Sequence, residues 1–443
     1  MGRRRRRVSL PQGEFEARIE SMSHDGRGVA RVEGKATFVH GALPGETVTF
    51  RYLNRKRSHD EGQVVAVVQP SEVRVEPRCA QYGVCGGCSL QHLDPAAQVQ
   101  AKQAVLIDNL RQIGRVAPDT LLPPIMNDSP WGYRRKARLG VKDVARKGKV
   151  LVGFRERGSS FVADVQMCHV LHPRVGEILP LLSTLIESLS ISRRLPQIEM
   201  AMDDERCVLI LRILDPLGSD DGRRLLAFAQ ENDVVFYLQP GGPETVRPLG
   251  EPVDLRYELP AYAVTLGFLP GDFTQVNTDI NRKMIDHAVQ LLDPRAEDDV
   301  LDLFCGIGNF TLPIARHCRQ VVGVEGDAGL VERARRNAES NAIANAEFFT
   351  ADLYGELQAE PWMTRQFDKA LLDPPRSGAL QVLPLLPAMG VRRIVYVSCY
   401  PGTLARDAGE LVGKHGYRLV SAGVMDMFPH TAHVESIALF ERR

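Results

Sequence analysis

From about residue 262 onward the sequence alternates short apolar strands with helical stretches, a pattern that indicates a parallel sheet with helices on both faces. The strand Val300-Leu-Asp-Leu-Phe304 turns through Cys305-Gly306-Ile307-Gly308 into a helix reaching about Arg316. Gly306 and Gly308 permit a tight turn that brings backbone N–H groups close to a ligand at the helix start. The next strand, Gln320 to Glu325, ends in an acid, and an acid there in a doubly wound sheet accepts hydrogen bonds from ribose hydroxyls. A further strand, Glu347-Phe-Phe-Thr-Ala-Asp352, ends in a second acid.

A glycine loop of this kind also serves nicotinamide and flavin cofactors. Here the third glycine of the dinucleotide fingerprint is missing, because Phe310 and Thr311 occupy its neighbourhood. A ligand without a diphosphate needs no such glycine, so an adenosyl amino acid fits better than a dinucleotide. The reading is a Rossmann-like methyltransferase domain that binds S-adenosylmethionine beyond the carboxyl ends of its strands.

Three more strand ends carry polar groups and belong at that same face. Phe367 to Asp373 leads into Pro374-Pro375-Arg376, Arg393 to Cys399 leads into Tyr400-Pro401, and a C-terminal hairpin carries Met427 to Glu435. Carbon 5 of uracil is a poor nucleophile. A thiolate adding at carbon 6 makes it reactive, and a base must then remove the carbon 5 proton. Cys399 and Glu435 form the matching pair. A lone strand-end cysteine is more often a small buried hydrophobe, and Glu435 could be an exposed edge carboxylate. Both bland readings weaken because the two residues would meet beside the donor.

Residues from about 9 to 70 read as short strands broken by glycine turns, consistent with a small antiparallel barrel. The strings Met22-Ser-His-Asp-Gly-Arg-Gly-Val-Ala-Arg31 and Gly41-Ala-Leu-Pro-Gly-Glu46 resemble the TRAM domain, an oligonucleotide-binding barrel. The chain has no net charge, yet residues 1–57 carry a balance of +7 and residues 131–157 one of +8. Basic runs are often only solvated faces. Two of them, the second interleaved with Trp131, Tyr133 and Phe154 that could stack on bases, favour an RNA partner.

Between these regions Cys79, Cys85 and Cys88 cluster in a glycine-rich loop, and Cys168 could supply a fourth thiolate. Four sulfurs suit zinc or an iron–sulfur cluster equally by spacing, and His92 or His169 could join a zinc site. Cys207, Cys305 and Cys318 read as packing residues. No run of eighteen apolar residues appears, and the basic start has no apolar stretch after it, so a membrane span and a leader are not expected. The expected location is the cytoplasm, where such cysteines are thiols or metal ligands.

Asp373-Pro-Pro-Arg376, Ser398-Cys399-x-Pro401-x-Thr403, Phe428-Pro-His-Thr-x-His-x-Glu435 and Gly271-Asp-Phe-Thr-Gln-Val-Asn277 together resemble the signature motifs of the RNA 5-methyluridine methyltransferases. The resemblance implies Cys399 as nucleophile, Glu435 as proton acceptor, and Gln275, Phe304, Asn309, Glu325, Asp352 and Asp373 around the donor. Tyr400, where many members have Asn, and Ala432, often Gly, depart from the pattern. Resemblance to the branch acting on large-subunit ribosomal RNA further implies a [4Fe–4S] cluster on Cys79, Cys85, Cys88 and Cys168.

The expectation is therefore an α/β class I S-adenosylmethionine methyltransferase domain at 261–443. A TRAM/OB-like barrel with a basic tail is expected at 1–70 and an α+β iron–sulfur and RNA-binding domain at 71–260. The implied substrate is a loop uridine of 23S ribosomal RNA, splayed from its stack, and the implied state is a monomer. Rival readings are a transfer-RNA uridine methyltransferase, an N-methyltransferase using Asp373-Pro-Pro-Arg376, and a non-catalytic iron–sulfur RNA-binding protein.

Overall fold

A computed structural model describes residues 10–355 and 360–442, so the arginine run Arg3–Arg7 lies outside the described residues. The C-terminal sheet has seven main strands. They are β1 (Asp299–Leu303), β2 (Gln320–Glu325), β3 (Ala346–Thr350), β4 (Lys369–Leu372), β5 (Arg393–Ser398), β6 (Tyr417–Met425) and β7 (Glu435–Arg442). Their order is β3-β2-β1-β4-β5-β7-β6. The first five are parallel, and β7 inserts antiparallel between β5 and β6. Central strands such as Ile394–Val397 are buried on both faces, which is why they read as unbroken apolar runs. The strand order reverses between β1 and β4, and there the carboxyl ends open a crevice for a ligand.

Helix α1 (Pro95–Asn109) opens with Asp94, whose carboxylate accepts from the Ala96 and Ala97 N–H groups, followed by Pro95 at the first helical position. Its Val99 and Leu106, with Leu110 just beyond, join the core formed by Leu301, Tyr396 and Ala422 of the catalytic sheet. Gly114 then passes so close to the helix Pro401–Lys414 that a Cβ there would stand 2.3 Å from the Ala405 carbonyl oxygen. The strand Thr120–Leu121 extends the sheet alongside β6.

Two segments outside 261–443 share the cores of the catalytic domain. Residues from 95 to about 125 pack on the catalytic sheet because their apolar positions face it. The hairpin Leu255–Leu259 and Val264–Phe268 straddles residue 261 and shares a core with the helix Thr278–Leu292.

The N-terminal barrel has six strands, from Phe15–Arg18 to Asp60–Gln69, around Ile19, Ala30, Val39, Val48 and Phe50. The middle region is a six-stranded sheet from Lys136 to Pro248, covered by the helices Leu179–Glu187 and Ser219–Asn232. No helix among the described residues is long and apolar enough to cross a membrane.

Candidate active site

The expected ligand-binding residues stand at the carboxyl ends of β1, β2, β3 and β4. Phe304 leaves β1 with φ of +67°, followed by Gly306 at +55° and Gly308 at +94°. This left-handed backbone turns the N–H groups of the loop toward β2. Gly306 N–H donates to Glu325 Oε2 (3.2 Å), while Glu325 Oε1 accepts from Gly326 N–H (2.7 Å) and Asp327 N–H (3.1 Å). Asp352, beyond β3, is exposed and accepts from the Tyr354 N–H. The Tyr354 ring lies 5.7 Å from that of Phe304. Tyr354 was missed from the sequence, and its place two residues after a strand-end acid was the available signal.

Asn309 lies in the glycine loop after β1. Its side chain is exchanged with Asn281 through two hydrogen bonds (3.0 and 3.1 Å) and accepts from the Tyr257 hydroxyl (2.8 Å). It braces the glycine loop against the preceding helix. Gln275 is half-buried in the loop that carries the exposed Phe273 and ends on Asn277, the cap of the helix Thr278–Leu292.

Three carboxyls converge on the crevice. Burial pushes Asp302 up to about 8, helped by Asp373 and Glu325; Asp373, half-buried, is pushed up to about 7 by burial and by Glu325. Asp302 Oδ2 accepts from the Thr311 hydroxyl (2.5 Å), but its Oδ1 has no partner among the described residues. Neighbouring carboxylates thus disfavour the charged forms of Asp302 and Asp373, and a cationic ligand relieves the site.

Cys399 and Glu435 are brought together by strand register. In the antiparallel ladder of β5 and β7 Ser398 pairs with Ser436, so the next position sets Cys399 opposite Glu435. The Ser436 hydroxyl donates to the Ser398 carbonyl (3.2 Å) and fixes that register. Cys399 is half-buried and Glu435 is 4% exposed. Burial pushes the thiol up to about 11, with further upward pressure from Glu435 and Asp373 that Arg376 opposes. Burial and then Asp373 push Glu435 up to about 8, against Arg376 and Lys102.

Cys399 opens into a cleft of about 610 Å³. Its walls include His24 and Asp25 of the barrel, Gly86 to Ser89 of the cysteine loop, and Arg134 with Phe154 of the middle region. Tyr400, 44% exposed, stands on its rim. Ala432 also lines it, its N–H donating to Ser89 Oγ (3.0 Å).

The aromatic residues of the basic segment divide. Phe154 lies under the Arg134 guanidinium and lines the cleft. Tyr133 is buried, its hydroxyl donating to the Pro429 carbonyl (3.1 Å), and Trp131 stacks on His430 at 3.8 Å. Tyr133 is thereby taken up inside the protein, while Trp131 is half-buried. Much of the segment's charge is likewise paired internally, through Arg138 with Glu199 and Lys147 and Lys149 with Asp164.

Cys79, Cys85, Cys88 and Cys168 line one small cavity with Tyr82, Phe154 and His169. All four are half-buried free thiols. Burial first, then the neighbouring thiols, raises Cys85 to about 11 and Cys88 to about 12; burial, with Cys79, also raises Cys168. Among the described residues no three His, Cys, Asp or Glu side chains are gathered tightly enough for a single metal ion. His92 is buried and turned to the Tyr82 hydroxyl instead. Cys207, Cys305 and Cys318 are buried packing residues.

Residues 261–443 match the family described as tRNA (Uracil-5-)-methyltransferase, and residues 13–51 match the TRAM domain. A protein of Alkalilimnicola ehrlichii named 23S rRNA (uracil(1939)-C(5))-methyltransferase RlmD is 56% identical over 100% of this chain and 99% of its own length. A protein of Stenotrophomonas maltophilia strain K279a with the same name is 55% identical over 99% of this chain and 100% of its own length. Among solved structures, the Pyrococcus abyssi tRNA (uracil-54, C5)-methyltransferase in complex with S-adenosyl-L-homocysteine superposes with a TM-score of 0.74. At 23% identity it covers 96% of this chain and 100% of that one, and it shares the fold.

Proposed function

The chain belongs to the RNA 5-methyluridine methyltransferase family, and from that membership we propose that it methylates carbon 5 of a uridine in 23S ribosomal RNA, with S-adenosylmethionine as methyl donor. The position for which the relatives are named, uracil 1939, is the proposed target. Work on ribosomal RNA supports a cytoplasmic location.

The observation that carries the reading is the register of β5 and β7, which sets one thiol against one carboxylate at the mouth of the cleft. The Cys399 sulfur bonds to carbon 6 of the uracil, and the electron pair displaced from the C5–C6 double bond makes carbon 5 nucleophilic. Carbon 5 takes the methyl group from the donor. Glu435 then removes the carbon 5 proton, the double bond re-forms, and the sulfur–carbon bond breaks to free Cys399. Glu435 must be ionised for this step, and Arg376 and Lys102 supply the positive charge that favours it.

At the donor end Phe304 and Tyr354 offer aromatic faces and Glu325 suits ribose hydroxyls. Gln275, Asp352 and Asp373 complete the surroundings, and Asn309 contributes by holding the loop. The crowded carboxyls Asp302, Glu325 and Asp373 support a cationic sulfonium over its neutral product.

Cys79, Cys85, Cys88 and Cys168 fit a [4Fe–4S] cluster better than zinc. Four half-buried thiols line one small cavity, the set that the family resemblance implies for such a cluster. A bound cluster would cross-link the loop 79–88 to residue 168 and move no electron in the methyl transfer.

Two measurements test the proposal. Purified protein with labelled S-adenosylmethionine should label 23S RNA from a strain lacking the relatives' enzyme, at a single uridine. Label on transfer RNA alone, or none, would overturn the assignment. Anaerobically purified protein should be brown and contain iron; a colourless protein with zinc would overturn the cluster.

A further inference from the structure

The segment Asp426–Val434 connects β6 to β7 and ends on Glu435. This strap is held by groups from far earlier in the chain. Lys102 Nζ, on α1, donates to Asp426 Oδ1 (2.7 Å) and to the Phe428 carbonyl (2.9 Å), and the two charged side chains are 3% and 4% exposed. One turn earlier, Gln98 Oε1 accepts from the His430 N–H (2.8 Å), while its Nε2 donates to the Leu90 and Leu93 carbonyls. Ser89 and Leu90 N–H groups both donate to the His430 carbonyl (2.9 Å each). His430 itself is held at φ of +64°, a conformation that a non-glycine residue keeps only where its surroundings impose it.

We infer that Lys102, with Gln98 one turn before it, is a positioning residue for methyl transfer: it anchors the strap that runs into Glu435 and so steadies the carboxylate that the strand register sets opposite Cys399. The inference rests on the reading of Glu435 as the base. A buried ion pair is a poor source of stability, since apolar residues of like volume serve as well, so retention of Lys102 and Asp426 inside the protein points to geometry. Charge acts in the same direction. Burial and Asp373 oppose the ionisation of Glu435, Arg376 favours it from the loop after β4, and Lys102 favours it from α1.

The test compares the parent with Lys102→Met, with Gln98→Met, and with a Lys102→Met/Asp426→Leu double variant that leaves no buried charge unpaired and so keeps the fold. RNA carrying 5-fluorouridine separates the steps, because its adduct has no carbon 5 proton to lose. In all three variants kcat on uridine RNA should fall at least tenfold with KM for RNA and donor within about twofold. The fluorouridine adduct should form at the parent rate, and a methylated covalent species should accumulate on uridine RNA. For Lys102→Met the pH profile of adduct breakdown should also move to higher pH.

A double variant that melts like the parent and keeps its kcat overturns the inference. Loss of the fluorouridine adduct in step with turnover does the same, since it marks general damage. A parent protein that forms no fluorouridine adduct overturns the reading of Cys399 and Glu435, and the inference with it.

Discussion

Replacing Cys399 with alanine is expected to lower methyl transfer to uridine by roughly 10,000-fold or more, the scale on which loss of a covalent nucleophile acts. It should also abolish covalent trapping by RNA carrying 5-fluorouridine, read as a loss of the retarded band on a denaturing gel. Binding of RNA and donor should survive, because Cys399 is only half-buried and makes no part of either core. The N-methyltransferase reading of Asp373-Pro-Pro-Arg376 needs no thiol, and retained turnover in this variant would revive it. The thiol carries its own pH signature. Held up to about 11 in the free protein, it should react slowly with iodoacetamide at pH 7 and faster as the pH rises. Positive charge from S-adenosylmethionine should shift that curve to lower pH, and the uncharged sulfur of S-adenosylhomocysteine should leave it in place.

Glu435→Gln is expected to stop the reaction later. The thiolate can still add and carbon 5 can still take the methyl group, but the amide cannot accept the proton. Turnover should fall by roughly 100- to 10,000-fold, the usual contribution of a general base. A methylated covalent RNA–protein species should build up on ordinary uridine RNA, detectable by mass. In the parent, the breakdown of this species should accelerate as pH rises through about 8, because burial and Asp373 hold Glu435 protonated below that value. Loss of that rising limb in the Gln variant assigns it to Glu435. Rapid turnover without an accumulating adduct would remove Glu435 from the mechanism.

The chemistry of the strand ends was legible because each reactive residue follows directly on a short apolar strand. Phe304, Glu325, Asp373 and Cys399 need only strand boundaries and a parallel sheet to arrive at one edge. Glu435 needed more, since its strand runs the other way, and the motif around it carried that information. Long-range contacts within one chain leave no periodic trace, and the sequence reading went astray there. The apolar positions of α1 announce a buried face but not which sheet buries it. Tyr133 looks like a base-stacking residue within a basic run, yet it is buried with its hydroxyl on Pro429, and the half-buried Trp131 packs on His430. Gln98 and Lys102 read as ordinary polar positions on a helix, and only their partners some 330 residues away give them meaning.

The strap ties the reactive pair to parts of the chain remote in sequence. The donor crevice is assembled from strands between Asp299 and Asp373. The strap that runs into Glu435 is held by contacts between Ser89 and Ala432 and between Lys102 and Asp426, separations of 343 and 324 residues. Closing loops of that size adds little to the equilibrium cost but much to the search. Changes near Ser89 or Lys102 therefore reach the segment beside Glu435 although several hundred residues of chain separate them.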